Sequence, residues 1–334
     1  MLFETHGAAQ PRLVGIARLA QESPLLAAKK QVEYLELPTR SLLNRCASPR
    51  MPFAWTINPY RGCEFGCHYC YARYTHEFMG MDDGQLFERK IFSKGAAARV
   101  LAEELKRFEG GEIAIGTGTD PYQPAERRFE TTRSILEVFA AGRGRRLSIT
   151  TKSNLIVRDL DLLDRIRRRN VLHVNMTVTT TDAVLAGKLE PKAPRPELRL
   201  EAVRRLSEAG ISAGVFASPV MPLLTDGLAN LAAVAAAASE AGASYFGGGT
   251  LFLMPSAQKQ FFPFLQREFP ALAERYRRRY LANPYLRGEY DAWIRRRITK
   301  IRLKYGLAAS PVAYRPEDWT REKEEPQLRL FDER

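Results

Sequence analysis

No cysteine follows position 70 in this 334-residue chain, and the four present, Cys46, Cys63, Cys67 and Cys70, are crowded towards one end. Three of them fall within eight residues. Such crowding is unlike an evenly spread disulfide framework, and in a reducing compartment clustered thiols read as metal ligands. Long apolar runs are missing too. No window approaches roughly 18 consecutive apolar residues, so neither a membrane-spanning helix nor a membrane partner is expected. The opening residues, MLFETHGAAQPRL, have neither the basic start nor the apolar run of a signal peptide, which makes a cytoplasmic protein the expectation. Acidic residues are in short supply, with 38 Asp and Glu against 51 Lys and Arg for a net charge of +13.

The basic excess is local. From Lys259 to Lys304, thirteen Lys or Arg stand against four Asp or Glu. Such a segment suits a polyanion, nucleic acid first, although charge does not separate DNA from RNA. A set of solvated basic helix faces is the plainer alternative.

Between Phe53 and Leu253 short β-rich runs alternate with amphipathic helical ones. The expected strands are FAWTIN (53–58), EIAIGTG (112–118), LSITT (147–151), LHVNMTVTT (172–180), ISAGVFASPV (211–220) and SYFGGGTLFL (244–253). Helical patterns fall at 96–108, 131–142, 159–169, 196–210 and 226–242, two of them closing on Gly210 and Gly242 as left-handed caps. Repeated strand-then-helix units imply a parallel sheet covered by helices, wound by right-handed crossovers as an open sheet or a partial barrel. Reactive groups then belong on loops at the C-terminal ends of the strands. The cysteines follow the first strand, GTGTDPYQPAE the second and TKS the third.

Around this α/β unit (53–255), residues 1–52 read as a wrapping arm with one helix-like patch near Leu25 to Leu35. Residues 256–307 read as a basic helical appendage of three helices, and 308–334 as an extended, Pro-broken tail.

The cysteine loop, NPYRGCEFGCHYCYARYTHEFMG, spaces its thiols Cys-x3-Cys-x2-Cys. Three ligands are one short of a closed structural zinc site, unless His68 or His76 supplies the fourth. Three thiolates suit a cubane iron–sulfur cluster that leaves one iron open. Gly62 and Gly66 allow a tight turn around it.

With Tyr69 directly before the last cysteine, the loop resembles the signature of the radical S-adenosylmethionine (radical SAM) superfamily. GTDP (118–121), TKS (151–153), LEPKAPRPELRLEA (189–202) and the nearby AGVFASPV resemble its spore photoproduct lyase-like branch, as does the Tyr69–Cys70–Tyr71 triplet. The resemblance implies a partial (β/α)6 TIM-like barrel, a [4Fe–4S] cluster and S-adenosyl-L-methionine. It also implies a one-electron reductant such as flavodoxin or ferredoxin, and hydrogen abstraction by a 5′-deoxyadenosyl radical. Carried over by motif, Cys63, Cys67 and Cys70 bind iron and Tyr69 packs by the adenine. Thr117 and Asp120 contact the methionine end, and Lys152, Thr177 and Arg199 the carboxylate or ribose. The plainer readings are a strand-end turn at 116–118, a solvated Lys152, and an Arg199 paired with Glu190.

One departure matters. The lyase carries a cysteine on its second-strand loop as hydrogen donor, where this chain has Gly116 and Thr117. The expectation is therefore a related radical reaction in DNA repair, on a different lesion or modified nucleotide, with Tyr71 or Tyr122 as a hydrogen relay. Chemistry on RNA or a small metabolite is one alternative, and a non-catalytic iron–sulfur nucleic-acid-binding protein is another.

After the charged run TREKEEP, the segment QLRLF resembles the pentapeptide by which bacterial DNA-repair and replication proteins dock on the sliding clamp. Gln327 would bond at a pocket rim while Leu328, Leu330 and Phe331 enter an apolar groove. A last strand or plug on the chain's own domain is the alternative.

Overall fold

The β-branched and aromatic runs become strands in the computed structural model, which describes residues 13–49 and 51–318. The QLRLF segment lies outside the described residues. Helix α1 (Gly15–Gln21) leads into a hairpin, β1 (Leu25–Lys29) and β2 (Val32–Glu36), turning at Lys30 with φ of +50°. This corrects the helix-like patch near Leu25 to Leu35. Its Leu- and Ala-rich composition favours a helix. The backbone instead pairs β1 with β2, and β2 in parallel with a strand farther on, while Tyr34 is buried.

The main sheet begins with β3 (Asn44–Arg45) and β4 (Trp55–Ile57); β5 (Tyr60–Arg61), next in the chain, pairs outside it. The cysteine loop passes through two single-turn helices, α2 (Tyr74–Glu77) and α3 (Leu86–Arg89), to β6 (Lys90–Ser93) and then α4 (Ala97–Leu105). Next come β7 (Glu112–Ile115), α5 (Glu126–Phe129), α6 (Thr131–Ala141), β8 (Arg146–Thr151), α7 (Leu160–Arg169) and β9 (Val171–Thr177). The alternation continues through α8 (Ala183–Leu189), α9 (Pro196–Glu208), β10 (Ser212–Phe216), α10 (Leu228–Glu240) and β11 (Tyr245–Gly247). Three helices follow: α11 (Pro255–Glu268), α12 (Pro270–Tyr280) and α13 (Glu289–Lys304).

Seven strands form one sheet in the order β11-β10-β9-β8-β7-β4-β3. Six of them run parallel, each beside its predecessor, and β3 pairs antiparallel at the edge. All seven residues of β9 are buried, as a central strand covered on both faces requires. The β11 edge is covered by the chain after α13, where the N–H of Phe246 donates to the carbonyl of Ala308 at 3.0 Å. A second sheet, β1-β2-β6-β5, was not foreseen because β6 is only four residues of mixed polarity, KIFS.

The last three helices are built into the body, not appended to it. On α13, Ile294, Ile298 and Ile301 repeat at helical spacing and join the apolar cluster of the main sheet. Phe261, Phe264 and Leu265 of α11 and Tyr276 and Tyr280 of α12 form another cluster with Phe65 and Tyr69 of the cysteine loop. Burying each such aromatic ring contributes about 2–3 kcal/mol, so these helices clamp the loop. Among the described residues no helix is long and apolar enough to cross a membrane.

Candidate active site

All six parallel strands end at one cavity of ≈ 270 Å³. The loop after β4 brings Cys63, Cys67, Cys70, Tyr69 and Tyr71. The loop after β7 brings Thr117 and Asp120, the one after β8 brings Lys152, and β9 ends on Thr177. Ser218 and Pro219 beyond β10, and Thr250 and Phe252 beyond β11, close the ring. Three of these loops stood out in the sequence. The β10 loop, which holds Ser218 and Pro219, stood out only through the AGVFASPV resemblance, and the β11 loop did not.

The β7 loop has one backbone that works. Gly116 has φ of +88°, and a Cβ there would lie 2.5 Å from both the Thr150 carbonyl oxygen and Pro121 Cδ. Asn58 Oδ1 accepts the N–H groups of Gly118 at 2.7 Å and Thr119 at 3.2 Å. Asp120 then joins this loop to the next, accepting from the Tyr122 N–H at 2.9 Å, Thr151 Oγ1 at 2.7 Å and the Lys152 N–H at 2.7 Å. Burial still holds its carboxyl above the ordinary range, against the pull of those bonds.

Behind the cysteines lies a sealed polar knot. Glu190, buried in the turn after α8, accepts from the Tyr69 hydroxyl and from Thr179 Oγ1 at 2.8 Å, and meets Arg199 of α9 at 2.5 Å. Burial alone would push the Glu190 carboxyl up. The Arg199 and Lys152 charges and the Tyr69 bond outweigh it, so the group lies below the ordinary range. Lys152 holds its ammonium 5.9 Å from the Tyr69 ring centre.

Two expected site residues do not reach the cavity wall. Arg199 is occupied by Glu190 and by the carbonyls of Pro194 at 2.7 Å and Thr177 at 3.1 Å, so it acts on the site only through them. Tyr122 is buried in the apolar cluster beneath the sheet. Tyr71 does line the cavity, and its hydroxyl bonds the Thr117 carbonyl.

The cysteine loop is fixed from several sides. Cys63 N–H donates to the Phe87 carbonyl at 2.9 Å, and Arg73 reaches the Cys67 carbonyl at 3.0 Å and Glu88 at 2.7 Å. Gln123 holds both the Gly62 carbonyl (2.9 Å) and the Glu64 N–H (3.0 Å). At Gly62, φ is +80° and a Cβ would lie 2.6 Å from the Lys90 carbonyl oxygen.

This donor set fits a cubane better than a lone zinc. His68 stacks on Phe264 with ring centres 4.2 Å apart, and His76 Nε2 lies 3.0 Å from the Lys90 carbonyl. A cubane takes each of three thiolates on a different iron and leaves the fourth iron without a protein ligand. Burial pushes the Cys67 thiol up to about 12 and raises Cys63 as well; a bound metal would displace those protons to solvent and hold the thiolates. The Arg199–Glu190 pairing is the plainer sequence reading, and the structure shows it. Asn58, Gln123 and Arg73 carry no signal in the sequence, and only the fold shows that they brace the loops.

The radical SAM superfamily profile matches residues 57–235, more than half of the chain. An uncharacterized protein of Mycobacterium tuberculosis is 36% identical over 283 residues, covering 83% of this chain and 82% of its own. An uncharacterized protein of Methanocaldococcus jannaschii is 29% identical over 196 residues, covering 59% of this chain and 71% of its own. Among solved structures, a point mutant of spore photoproduct lyase aligns over 91% of this chain and 87% of its own, with TM-score 0.60 and 14% identity. A double mutant of that lyase with bound AdoMet and dinucleoside spore photoproduct aligns over 79% and 72%, with TM-score 0.55 and 15% identity. At those identities the likeness speaks for the fold. The profile match over more than half of the chain shows the family: the chain belongs to the radical SAM superfamily and is a radical SAM enzyme.

Proposed function

We propose that the chain abstracts hydrogen from a damaged or modified nucleotide in DNA, as a repair enzyme of the spore photoproduct lyase-like branch. The six strand–helix units are read as a partial (β/α)6 TIM-like barrel. The cofactors are a [4Fe–4S] cluster on Cys63, Cys67 and Cys70 and S-adenosyl-L-methionine, with a cytoplasmic flavodoxin or ferredoxin as reductant. When bound and reduced, the cluster supplies the electron that cleaves the sulfonium and yields the 5′-deoxyadenosyl radical.

The chain's own residues bind and orient. Thr117 and Asp120 face the methionine end of the cofactor. Lys152 and Thr177 take its carboxylate and ribose, and Tyr69 packs by the adenine. Arg199 is a positioning residue that holds Glu190 and, through it, Tyr69. Tyr71, beside the loop where the lyase places its donor cysteine, is the hydrogen relay of choice. Tyr122 is set aside because it does not line the cavity.

The observation that carries this reading is the convergence of three thiols, a carboxylate and an ammonium on one cavity. DNA is favoured over RNA by the solved lyase with dinucleoside spore photoproduct bound, while the net charge of +13 suits either nucleic acid. The terminal QLRLF segment adds a sliding-clamp partner through Gln327, Leu328, Leu330 and Phe331, a reading that rests on sequence alone. The test incubates reduced enzyme with site-deuterated DNAs carrying different lesions. Deuterium in 5′-deoxyadenosine supports the reading and names the lesion. Cofactor cleavage with no transfer from any DNA turns it towards RNA or a small metabolite, and a cluster with no cleavage leaves a non-catalytic binding protein.

A further inference from the structure

The aromatic lining of the cavity continues outward past its rim. Tyr71 and Phe252, both on the wall, are the middle of a series of five rings. On one side Tyr71 stacks with Tyr74 (6.5 Å between centres, 28°), and Tyr74 meets Phe78 edge-on at 5.6 Å. On the other, Tyr71 contacts Phe252 at 4.9 Å, and Phe252 stacks on Tyr285 at 5.4 Å and 17°. Arg287 completes that end, with its guanidinium 5.3 Å from the Tyr285 ring centre.

These rings are not core. Phe261, Tyr276 and Tyr280 nearby are fully buried, whereas Phe78 is 65% and Tyr285 38% exposed, and Tyr71, Tyr74 and Phe252 are half-buried. The outer ring is held in place by backbone. Phe252 and Tyr285 form an antiparallel bridge, the Leu253 N–H donates to the Pro284 carbonyl at 2.8 Å, and Asn283 Oδ1 accepts the Tyr285 N–H at 2.9 Å. The chain arrives there from α12, whose Arg277, Arg278 and Arg279 are exposed. Flat apolar faces in series, flanked by cations, recognise stacked π-systems on a phosphate backbone. A double helix offers no free base faces, so such a platform engages nucleotides outside the duplex stack.

We propose that the series Phe78–Tyr74–Tyr71–Phe252–Tyr285 is a stacking platform for unpaired nucleobases. It delivers a single strand, or a nucleotide turned out of the duplex, to the cavity. This rests on the nucleic-acid reading above and narrows its substrate to unstacked bases.

The test uses the cluster-loaded full chain and anisotropy of a labelled single-stranded DNA of about a dozen nucleotides. Its comparison is the same backbone with abasic sites throughout. Wild type binds the based strand more tightly than the abasic one. Tyr285→Ala loses about tenfold in affinity for the based strand only, and Tyr285→Trp restores it. Formation of 5′-deoxyadenosine without nucleic acid stays at the wild-type level in Tyr285→Ala, which shows that the fold is intact. Equal binding by Tyr285→Ala and wild type, or equal binding of based and abasic strands, overturns the platform and leaves the nucleic-acid reading standing. No binding of any nucleic acid by wild type overturns both.

Discussion

Arg199 and Glu190 meet at 2.5 Å with both side chains sealed from solvent, and the Tyr69 hydroxyl donates to the same carboxylate. The pair therefore links α9 to the ring that directly precedes the last cysteine. Replacing Arg199 by Met leaves the buried Glu190 carboxylate without its direct ion-pair partner and costs about 3–5 kcal/mol of stability. Adding Glu190→Gln removes that charge and recovers part of the loss. Urea unfolding of the two single variants and the double variant checks this. Additive losses would mean that the two groups do not interact.

Gly62 is the second prediction. A side chain there must occupy φ of +80° and come within 2.6 Å of the Lys90 carbonyl oxygen and 2.8 Å of that of Phe87. Strain of this kind costs about 1–3 kcal/mol, and here it acts on the loop that presents the thiols. Gly62→Ala is expected to lower iron content after anaerobic reconstitution to less than about half of wild type. Gly144→Ala also has positive φ, but nothing lies within 4 Å of its Cβ, and it should leave iron content unchanged.

A pH dependence follows from His76. Burial lowers its pKa to about 4, with the Lys90 carbonyl bond pulling the other way. The folded state thus keeps the ring neutral, while the unfolded chain titrates near its ordinary value of about 6.5. The unfolded state binds more protons below that value. The stability due to the neutral ring is complete above pH of about 6.5 and is lost as pH falls towards 4. Between pH of about 7.5 and 5 the loss from His76 is about 2 kcal/mol. His76→Phe should flatten the fall in urea midpoint over that range. An unchanged pH slope would contradict the assignment.

The parallel strands were legible in the sequence because each is a short β-rich run closed by turn residues; β9 is buried on every residue although His173, Asn175 and Thr177 interrupt its apolar ones. The β1–β2 hairpin was not. Leu25 to Leu35 carries a helical composition, and what decides its form is a partner strand, β6, more than fifty residues away. The basic segment was legible only in its charge. Its arginines conceal Ile294, Ile298 and Ile301, which face the sheet core. At the site, the cysteines announce themselves by type and spacing, and Asp120 and Lys152 through the resemblance carried by GTDP and TKS. Asn58 does not, because a loop-bracing amide matters only through the distant groups it meets.

The terminal segment yields a prediction independent of the barrel. A peptide spanning 315–334 should capture a bacterial sliding clamp, and Leu330→Ala with Phe331→Ala should abolish capture, since the apolar side chains supply the contact. Equal capture by both peptides removes the clamp from the account.

The central claim is that three thiols hold a cluster that cleaves S-adenosylmethionine, and one measurement reaches it directly. Anaerobically reconstituted wild type and Cys70→Ala are reduced with dithionite, their iron is counted, and 5′-deoxyadenosine is quantified. Wild type should carry about four irons per chain and form 5′-deoxyadenosine, while Cys70→Ala should form none. Zinc in place of iron in the wild type, or undiminished cleavage by Cys70→Ala, would contradict the account.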